Sequence, residues 1–358
     1  MRVALDVTSA RRASGEAGET YSGTTVYLQR LVPALRRLGV EVLEVHNERR
    51  APPAGGGWGS VRNLAADLAW TQHELPRRAA RAGADVLHHP LPACAHLAGQ
   101  AQVTTVQDLA FEALPWAFDP RFRRWARLTH RAAARGAQAV VAISAATRDD
   151  VVARWGVDSE RIVVAPLGPG QEPDARVPVA RPTHFLYVGD AEPRKNLGLL
   201  LEAHARYRAS VGERTALPLV LAGSAQARGR GITVEQRPGP ERLAQLYARA
   251  AALVHPSLHE GFGLTPLEAM SAGAPVVAVR ARAVEEVCAD AALYVGPRDA
   301  EGLAGHLVRL GVDLRLRADL RLRGRRRAAE FSWARCASAH RRAYTLALQR
   351  AAGRKDLA

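Results

Sequence analysis

Short apolar runs that stop at polar or glycine residues alternate with longer stretches of helical spacing in both halves of the chain. In the first half the pattern predicts strands over residues 2–7, 40–45, 85–89, 101–107 and 139–144, with a helix over 26–38 that stops at Gly39. In the second half it predicts strands over 185–189, 217–222, 232–235, 252–255 and 274–279. Helices are expected over 197–211, 240–251 and 266–272. Strand–helix alternation of this kind implies parallel sheets with helices on their faces, an α/β fold. Between the halves, residues 168–183 hold Pro169, Gly170, Pro173, Pro178 and Pro182 and little apolar periodicity, which marks a linker. Glycines at 15, 18 and 23 and at 55–57 mark loops in the first half. A length of 358 residues favours two cores over one, since single cores seldom grow past about 250–300 residues. The expected division is 1–172 and 173–337.

The candidate chemistry gathers where one apolar run ends, at His259-Glu260-Gly261-Phe262-Gly263-Leu264-Thr265-Pro266-Leu267-Glu268. Two carboxylates eight residues apart bracket a glycine turn that runs into a helix start. Thr265 suits an N-cap, Pro266 the first helical position, and Glu268 stands three residues after that cap. A helix start of this kind aims backbone N–H groups and a positive dipole end at an anion such as a diphosphate. The same spacing is that of a capping box, in which Glu268 is structural. Glu260, a carboxylate before Gly-Phe-Gly at a strand end, sits where α/β proteins build sites. A second anion-ready turn is Pro193-Arg194-Lys195-Asn196, directly after a strand. Arg194 offers a fork of donors and Lys195 a compact point charge.

These segments resemble retaining glycosyltransferases of the GT-B fold, family 4. Glu260 through Glu268 matches the E-x7-E signature, with Gly261, Gly263 and Pro266 in register. Tyr187-Val188-Gly189 with Pro193 to Leu197 resembles the first strand and phosphate loop of the donor domain, and Leu219 to Gly223 its second strand. Phe331-Ser332-Trp333 resembles the entry to the last helices. Asp108-Leu109-Ala110-Phe111 to Pro115, Ile143-Ser144, Val163-Val164 and Leu167-Gly168 resemble the mannosyltransferase-like subgroup. The resemblance implies two Rossmann-like domains facing across a cleft, the first on the acceptor side and the second holding a nucleotide sugar. It implies that a last helix, about 338–358, returns to the first domain. Transfer would then be hexosyl transfer in polysaccharide biosynthesis, with retention, from a nucleoside diphosphate sugar. GDP-mannose is the first expectation and a UDP-sugar the second. The acceptor would be a saccharide or lipid-linked hydroxyl, and neither cofactor nor metal is expected. Glu260, Arg194 and Lys195 would carry the chemistry. Glu268 would hold the ribose, and Gly189, Gly261, Phe262, Gly263, Leu264 and Thr265 would line the donor. Gly23, Gln107 and Asp108 would lie on the acceptor side. Gln107 departs from the pattern, because many relatives have histidine directly before Asp-Leu, and an amide can donate a hydrogen bond but cannot shuttle a proton. A sugar-nucleotide-binding protein without transfer activity is therefore an alternative.

Charge and cysteine content narrow the classes further. The net charge is +15 and only two of the 50 basic residues, Lys195 and Lys355, are lysines, so basicity is spread along the chain. The densest cluster, within 315–327, reads as a solvated helix face or as a surface for anionic lipid headgroups. Without aromatic interleaving or a zinc or helix-turn-helix spacing there, an Arg-rich nucleic-acid binder is the weaker alternative, and no nucleic-acid partner is expected. Cys94, Cys288 and Cys336 are scattered and odd in number, which suits a reducing cytoplasm. His88 and His89 are adjacent on a strand and point to opposite faces, which excludes a shared metal. Ser144, before Ala-Ala-Thr-Arg-Asp-Asp, is expected to cap a helix. No apolar run reaches the roughly 20 residues that cross a bilayer, so the expected location is cytoplasmic, with peripheral contact at an anionic membrane.

Overall fold

In the computed structural model the described residues are 1–11, 23–49, 58–171, 181–225 and 227–355. The glycines at 15, 18 and 55–57, and Pro173 and Pro178, lie outside them. The chain divides into two units. The first comprises Met1–Glu112, Asp119–Leu167 and Trp333–Ala358, and the second Ala113–Phe118 and Gly168–Ser332. The division thus falls after residue 167, a few residues before the expected 172. The terminal helix, Trp333–Lys355, starts five residues before the expected 338.

The first unit carries a six-stranded parallel sheet: β1 (Arg2–Asp6), β2 (Glu41–Val45), β3 (Val86–His89), β4 (Ala101–Val106), β5 (Ala139–Ala142) and β6 (Ile162–Val164). Its order is β2-β1-β3-β4-β5-β6. Every residue of β3, β4 and β5 is buried, as expected where both faces of a parallel sheet are covered. The terminal helix packs on β3 to β6 and on the helix Gly23–Arg37. It approaches closely because its inner face is built of Ala337, Ala339, Ala343 and Ala347, with Cys336, His340 and Tyr344 buried among them. The polar groups on that face are all partnered. Tyr344 Oη lies 2.9 Å from His88 Nδ1, and His88 Nε2 2.8 Å from the Thr105 hydroxyl. Tyr27 Oη lies 2.7 Å from His340 Nε2. His89 turns the other way, toward Gln102 Oε1 at 3.2 Å, as strand alternation requires.

The second unit repeats the architecture with β7 (His184–Val188), β8 (Leu219–Gly223), β9 (Ile232–Gln236), β10 (Ala250–His255), β11 (Val276–Val279) and β12 (Ala292–Val295). All pairs are parallel and the order is β12-β11-β10-β7-β8-β9. The first strand of the unit therefore lies in the middle. The chain builds outward through β8 and β9, then returns to the other side of β7 with β10. A reversal of this kind opens a crevice between the carboxyl ends of β7 and β10, where open α/β sheets place ligands. Strands β6 and β12 are missing from the sequence expectation. No helix among the described residues is long and apolar enough to cross a membrane.

Candidate functional site

Both charged turns singled out in the sequence sit at that switch point of the second unit. After β7 the chain makes one tight turn, Pro193–Lys195, and Asn196 at φ 52° redirects it into the helix Leu197–Val211. Asparagine is among the few residues that tolerate this left-handed conformation. The turn is fixed from two sides. The Leu258 amide donates to the Arg194 carbonyl at 2.9 Å, and Asn196 Nδ2 donates to the Pro297 carbonyl at 3.1 Å. A backbone hydrogen bond thus joins the loop after β7 to the loop after β10.

The charges meet on Glu260. Lys195 Nζ donates to Glu260 Oε1 at 2.7 Å, and Arg194 Nη1 donates to Oε2 at 3.3 Å and to the His259 carbonyl at 3.3 Å. Arg194 Nε also donates to Glu192 Oε2 at 2.6 Å. His255 Nε2, at the end of β10, lies 3.3 Å from Glu260 Oε1. The Glu260 side chain keeps only 14% of its surface. Burial alone would raise its carboxyl, but Lys195, then His255 and Arg194, outweigh it and hold the group well below the usual carboxylate range. Burial pushes the His255 imidazole down despite Glu260, so it stays neutral. With His255 neutral, the two cations balance the carboxylates of Glu192 and Glu260.

The glycine turn then starts a helix, but not as the sequence suggested. The helix is Leu264–Ala272 and Gly263 is its N-cap, at φ 112° and ψ 47°. That conformation suits glycine, and it starts the helix two residues before the expected position 266. Thr265 is therefore the second helical residue rather than the cap, and it makes no capping box with Glu268. Pro266 is tolerated because the first-turn amides have no intrahelical acceptor. The first such bond runs from the Leu267 amide to the Gly263 carbonyl, at 3.1 Å. The Leu264 and Thr265 amides are the donors this helix end offers to an anion.

Glu268, freed from capping, is buried and accepts a hydrogen bond from the Tyr247 hydroxyl at 2.9 Å. Burial, then the neighbouring carboxylate, push the Tyr247 phenol well above its ordinary value, so it remains a donor. Phe262 is buried, its ring edge-on to Phe331 at 5.8 Å, which makes it packing beneath the turn. Gly189 meets Gly223 at the ends of β7 and β8. A Cβ on Gly223 would stand 2.3 Å from the Gly189 carbonyl oxygen, so that approach requires glycine.

In the first unit, Gly23 opens the helix Gly23–Arg37. The Thr24 hydroxyl donates to Gln107 Oε1 at 3.2 Å, and Gln107 Nε2 donates to the Pro90 carbonyl at 3.4 Å. Gln107 thus ties the start of that helix to the loop at Pro90. Asp108 Oδ1 accepts from the Ala110 amide at 2.9 Å, closing a local turn. Ser144 caps its helix as expected, accepting from the Thr147 amide at 2.9 Å. Among the described residues no three His, Cys, Asp or Glu side chains are grouped so as to hold a metal ion.

Glu192, His255 and Tyr247 were not expected. A polar residue ending an otherwise apolar strand could have marked His255, and a third charge in the Pro-Arg-Lys turn could have marked Glu192. Nothing in the sequence marks Tyr247, which reaches Glu268 from a neighbouring helix.

Comparison with known proteins places these residues in context. A family model described as "Glycosyl transferases group 1" matches residues 182–313, and one described as "Glycosyltransferase Family 4" matches residues 21–169. The O-antigen chain mannosyltransferase B of Escherichia coli is 30% identical over 269 residues, covering 68% of this chain and 70% of that protein. The MMP alpha-(1->4)-mannosyltransferase of Mycolicibacterium hassiacum is 31% identical over 285 residues, covering 74% of this chain and 66% of that protein. Among solved structures, the sucrose-phosphate synthase of Thermosynechococcus elongatus superposes with a TM-score of 0.74 at 21% identity. That superposition covers 96% of this chain and 98% of the other.

Proposed function

The chain belongs to glycosyltransferase family 4, and from that premise we propose that it moves a hexosyl unit from a nucleoside diphosphate sugar to an acceptor hydroxyl with retention of configuration. The donor is GDP-mannose first and a UDP-sugar second, a ranking supported by the mannosyltransferase relatives. The acceptor is a saccharide or lipid-linked hydroxyl, and the O-antigen relative supports a role in polysaccharide biosynthesis.

One observation carries the reading. At the switch point of the second unit, Glu260, Lys195 and Arg194 form one partly buried charge cluster, and Glu260 opens the same short loop that leads into the helix start at Gly263. In the proposed reaction the bond from the sugar C1 to the diphosphate oxygen breaks and a bond from C1 to the acceptor oxygen forms. The electron pair leaves on the diphosphate. Lys195, Arg194 and the Leu264 and Thr265 amides stabilise that charge, as preorganised donors do without reorganising. The acceptor proton passes to the departing phosphate. Glu260 holds the sugar hydroxyls and, being ionised, favours positive character at C1. Glu268, fixed by Tyr247, binds the ribose hydroxyls. No metal is required, since the cations and amides supply the positive field.

The test is incubation of the purified protein with GDP-, UDP-, dTDP- and ADP-sugars and a panel of saccharide and lipid-linked acceptors. The expected result is glycosylated product from one donor, with the donor's anomeric configuration read by NMR and with turnover unchanged by EDTA. Donor binding without product across the panel would instead favour a sugar-nucleotide-binding protein.

A further inference from the structure

Among the described residues six histidines are buried, and five of them place Nε2 on a partner. His88 meets the Thr105 hydroxyl at 2.8 Å, His89 meets Gln102 Oε1 at 3.2 Å, and His340 meets the Tyr27 hydroxyl at 2.7 Å. His184 and His204 meet the carbonyls of Leu246 and Leu217, each at 3.1 Å. His255 is the sixth. Its side chain keeps 3% of its surface, yet Nε2 has no hydrogen-bond partner among the described residues. It stops 3.3 Å from Glu260 Oε1, off the line of a hydrogen bond. Two residues on, the Ser257 hydroxyl is likewise buried and without a partner among the described residues. Buried polar groups are almost always bonded, so two exceptions beside the charge cluster call for a role beyond packing.

Glu260 Oε1 is already claimed, because Lys195 Nζ donates to the same oxygen at 2.7 Å. Oε2 is held less closely, by Arg194 Nη1 at 3.3 Å. The ammonium wins over the neutral imidazole, since charge-assisted hydrogen bonds are roughly twice as strong as neutral ones. A second anion on Lys195 changes that balance. Arg194 and Lys195 are matched in charge by Glu192 and Glu260. A diphosphate arriving at this pair therefore brings uncompensated negative charge beside Glu260. Repulsion, and the loss of its ammonium, then loosen Oε1. The His255 N–H is the donor already at its side, and only a small rotation of the carboxylate brings the two into line. Burial keeps the imidazole neutral, so it adds no cation that would compete for the phosphates.

We infer that His255 is a positioning residue of the transferase: when a diphosphate claims Lys195, the imidazole Nε2–H takes over Glu260 Oε1 and keeps that carboxylate at the start of the Gly261–Gly263 turn. The exchange breaks the bond from Lys195 to Glu260 and makes two others, from Lys195 to phosphate and from His255 to Glu260. No proton changes owner. The inference rests on the donor-site reading above and adds a coupling to it. Glu260 resists the diphosphate, and His255 lowers that resistance. Contacts to the sugar are separate, so a nucleoside diphosphate without its sugar isolates the exchange.

The experiment is calorimetric titration of GDP and of UDP into the full chain and four variants: His255→Leu, His255→Gln, Glu260→Gln, and the double variant His255→Leu with Glu260→Gln. Glu260→Gln should bind the nucleotide on the order of tenfold more tightly, because one charge-assisted hydrogen bond no longer has to be displaced. His255→Leu should bind it on the order of tenfold more weakly, because the released carboxylate finds no donor. His255→Gln, whose amide N–H reaches toward the same oxygen, should recover most of that loss. In the Glu260→Gln background the leucine should change the affinity by less than about twofold, the mark of two residues acting through one interaction. A histidine that serves the fold alone would weaken binding by the same factor in both backgrounds. That result, or unchanged binding in His255→Leu, would overturn the inference and leave the donor site standing. Binding of neither nucleotide by any of these proteins would overturn the donor-site reading and the inference with it. Circular dichroism and thermal melts check that each variant is folded, and His255→Asn, too short to reach Glu260, replaces the leucine variant if that one does not fold.

Discussion

The Tyr247 hydroxyl donates a hydrogen bond of 2.9 Å to Glu268 Oε2, and both groups are buried. The bond joins two neighbouring helices, Pro240–Ala248 and Leu264–Ala272. It fixes one oxygen of the carboxylate that, in the proposed reaction, binds the ribose. Tyr247→Phe leaves that carboxylate short of one donor, at a cost of about 1–3 kcal/mol. The urea midpoint should fall accordingly and the donor KM should rise. A fall in stability with an unchanged donor KM would show that the bond serves the fold alone.

Glu260 is the acid on which the mechanism leans most. Glu260→Gln keeps the shape but removes the charge that, in the proposed reaction, favours an electron-poor C1. The expected loss in kcat/KM is ~2–4 kcal/mol, or about thirtyfold to a thousandfold. Turnover near that of the unaltered enzyme would remove Glu260 from the mechanism. Because the carboxyl is held well below its ordinary value, the stability it adds is present above the unfolded value of about 4.3. That stability is lost progressively as pH falls from there through the lower folded value. Its protonation should therefore leave no acidic limb in the rate profile near pH 5.

Lys195 tests the donor site without chemistry. A nucleotide sugar present at a hundred times its Kd stabilises the fold by about 2.7 kcal/mol, a clear upward shift in Tm. The shift should come from one nucleotide in the panel, GDP-mannose first, and should largely vanish in Lys195→Ala. The same shift in the variant would place the diphosphate elsewhere.

Acid should loosen the first unit through its buried histidines. Burial pushes the His340 imidazole down to about 4 and holds that of His88 well below its ordinary value. The sign follows from the proton count. Between about 6.5 and 4 the unfolded chain binds a proton that folded His340 refuses, so stability rises with pH there. It is fully present above about 6.5 and declines below it by up to ~1.4 kcal/mol per pH unit for one such group. Denaturant melts from pH 7 to pH 4 should show this slope, and His340→Gln should flatten it. An unchanged slope would assign the acid sensitivity to other groups.

The helix Leu197–Val211 was legible to the residue because its apolar spacing is regular and its ends are marked by Asn196 and Gly212. The start of the helix after Glu260 was misplaced because a Thr-Pro-x-Glu cap and a left-handed glycine cap compete two residues apart. Tertiary packing chose the glycine, and only then could Glu268 meet Tyr247 instead of its own helix end. The Arg315 to Arg327 cluster was likewise visible as charge but not as a brace, because Arg321, Arg323 and Arg327 donate to the carbonyls of Gly273, Asp290 and Val287, which are distant in sequence.

By itself the sequence determined that the chain is a pair of parallel α/β units and that Glu260, Lys195 and Arg194 belong to loops at strand ends. Periodicity and local turn chemistry decide those things within a few residues of each position. Only the tertiary structure decided that β10 returns beside β7, and that return brings residues 194, 195 and 260 within hydrogen-bond reach. It also decided which arginines are held against backbone carbonyls, as Arg321 is on Gly273 and Arg327 on Val287. Both depend on contacts between residues far apart along the chain, and those contacts leave no periodic trace in the order of the letters.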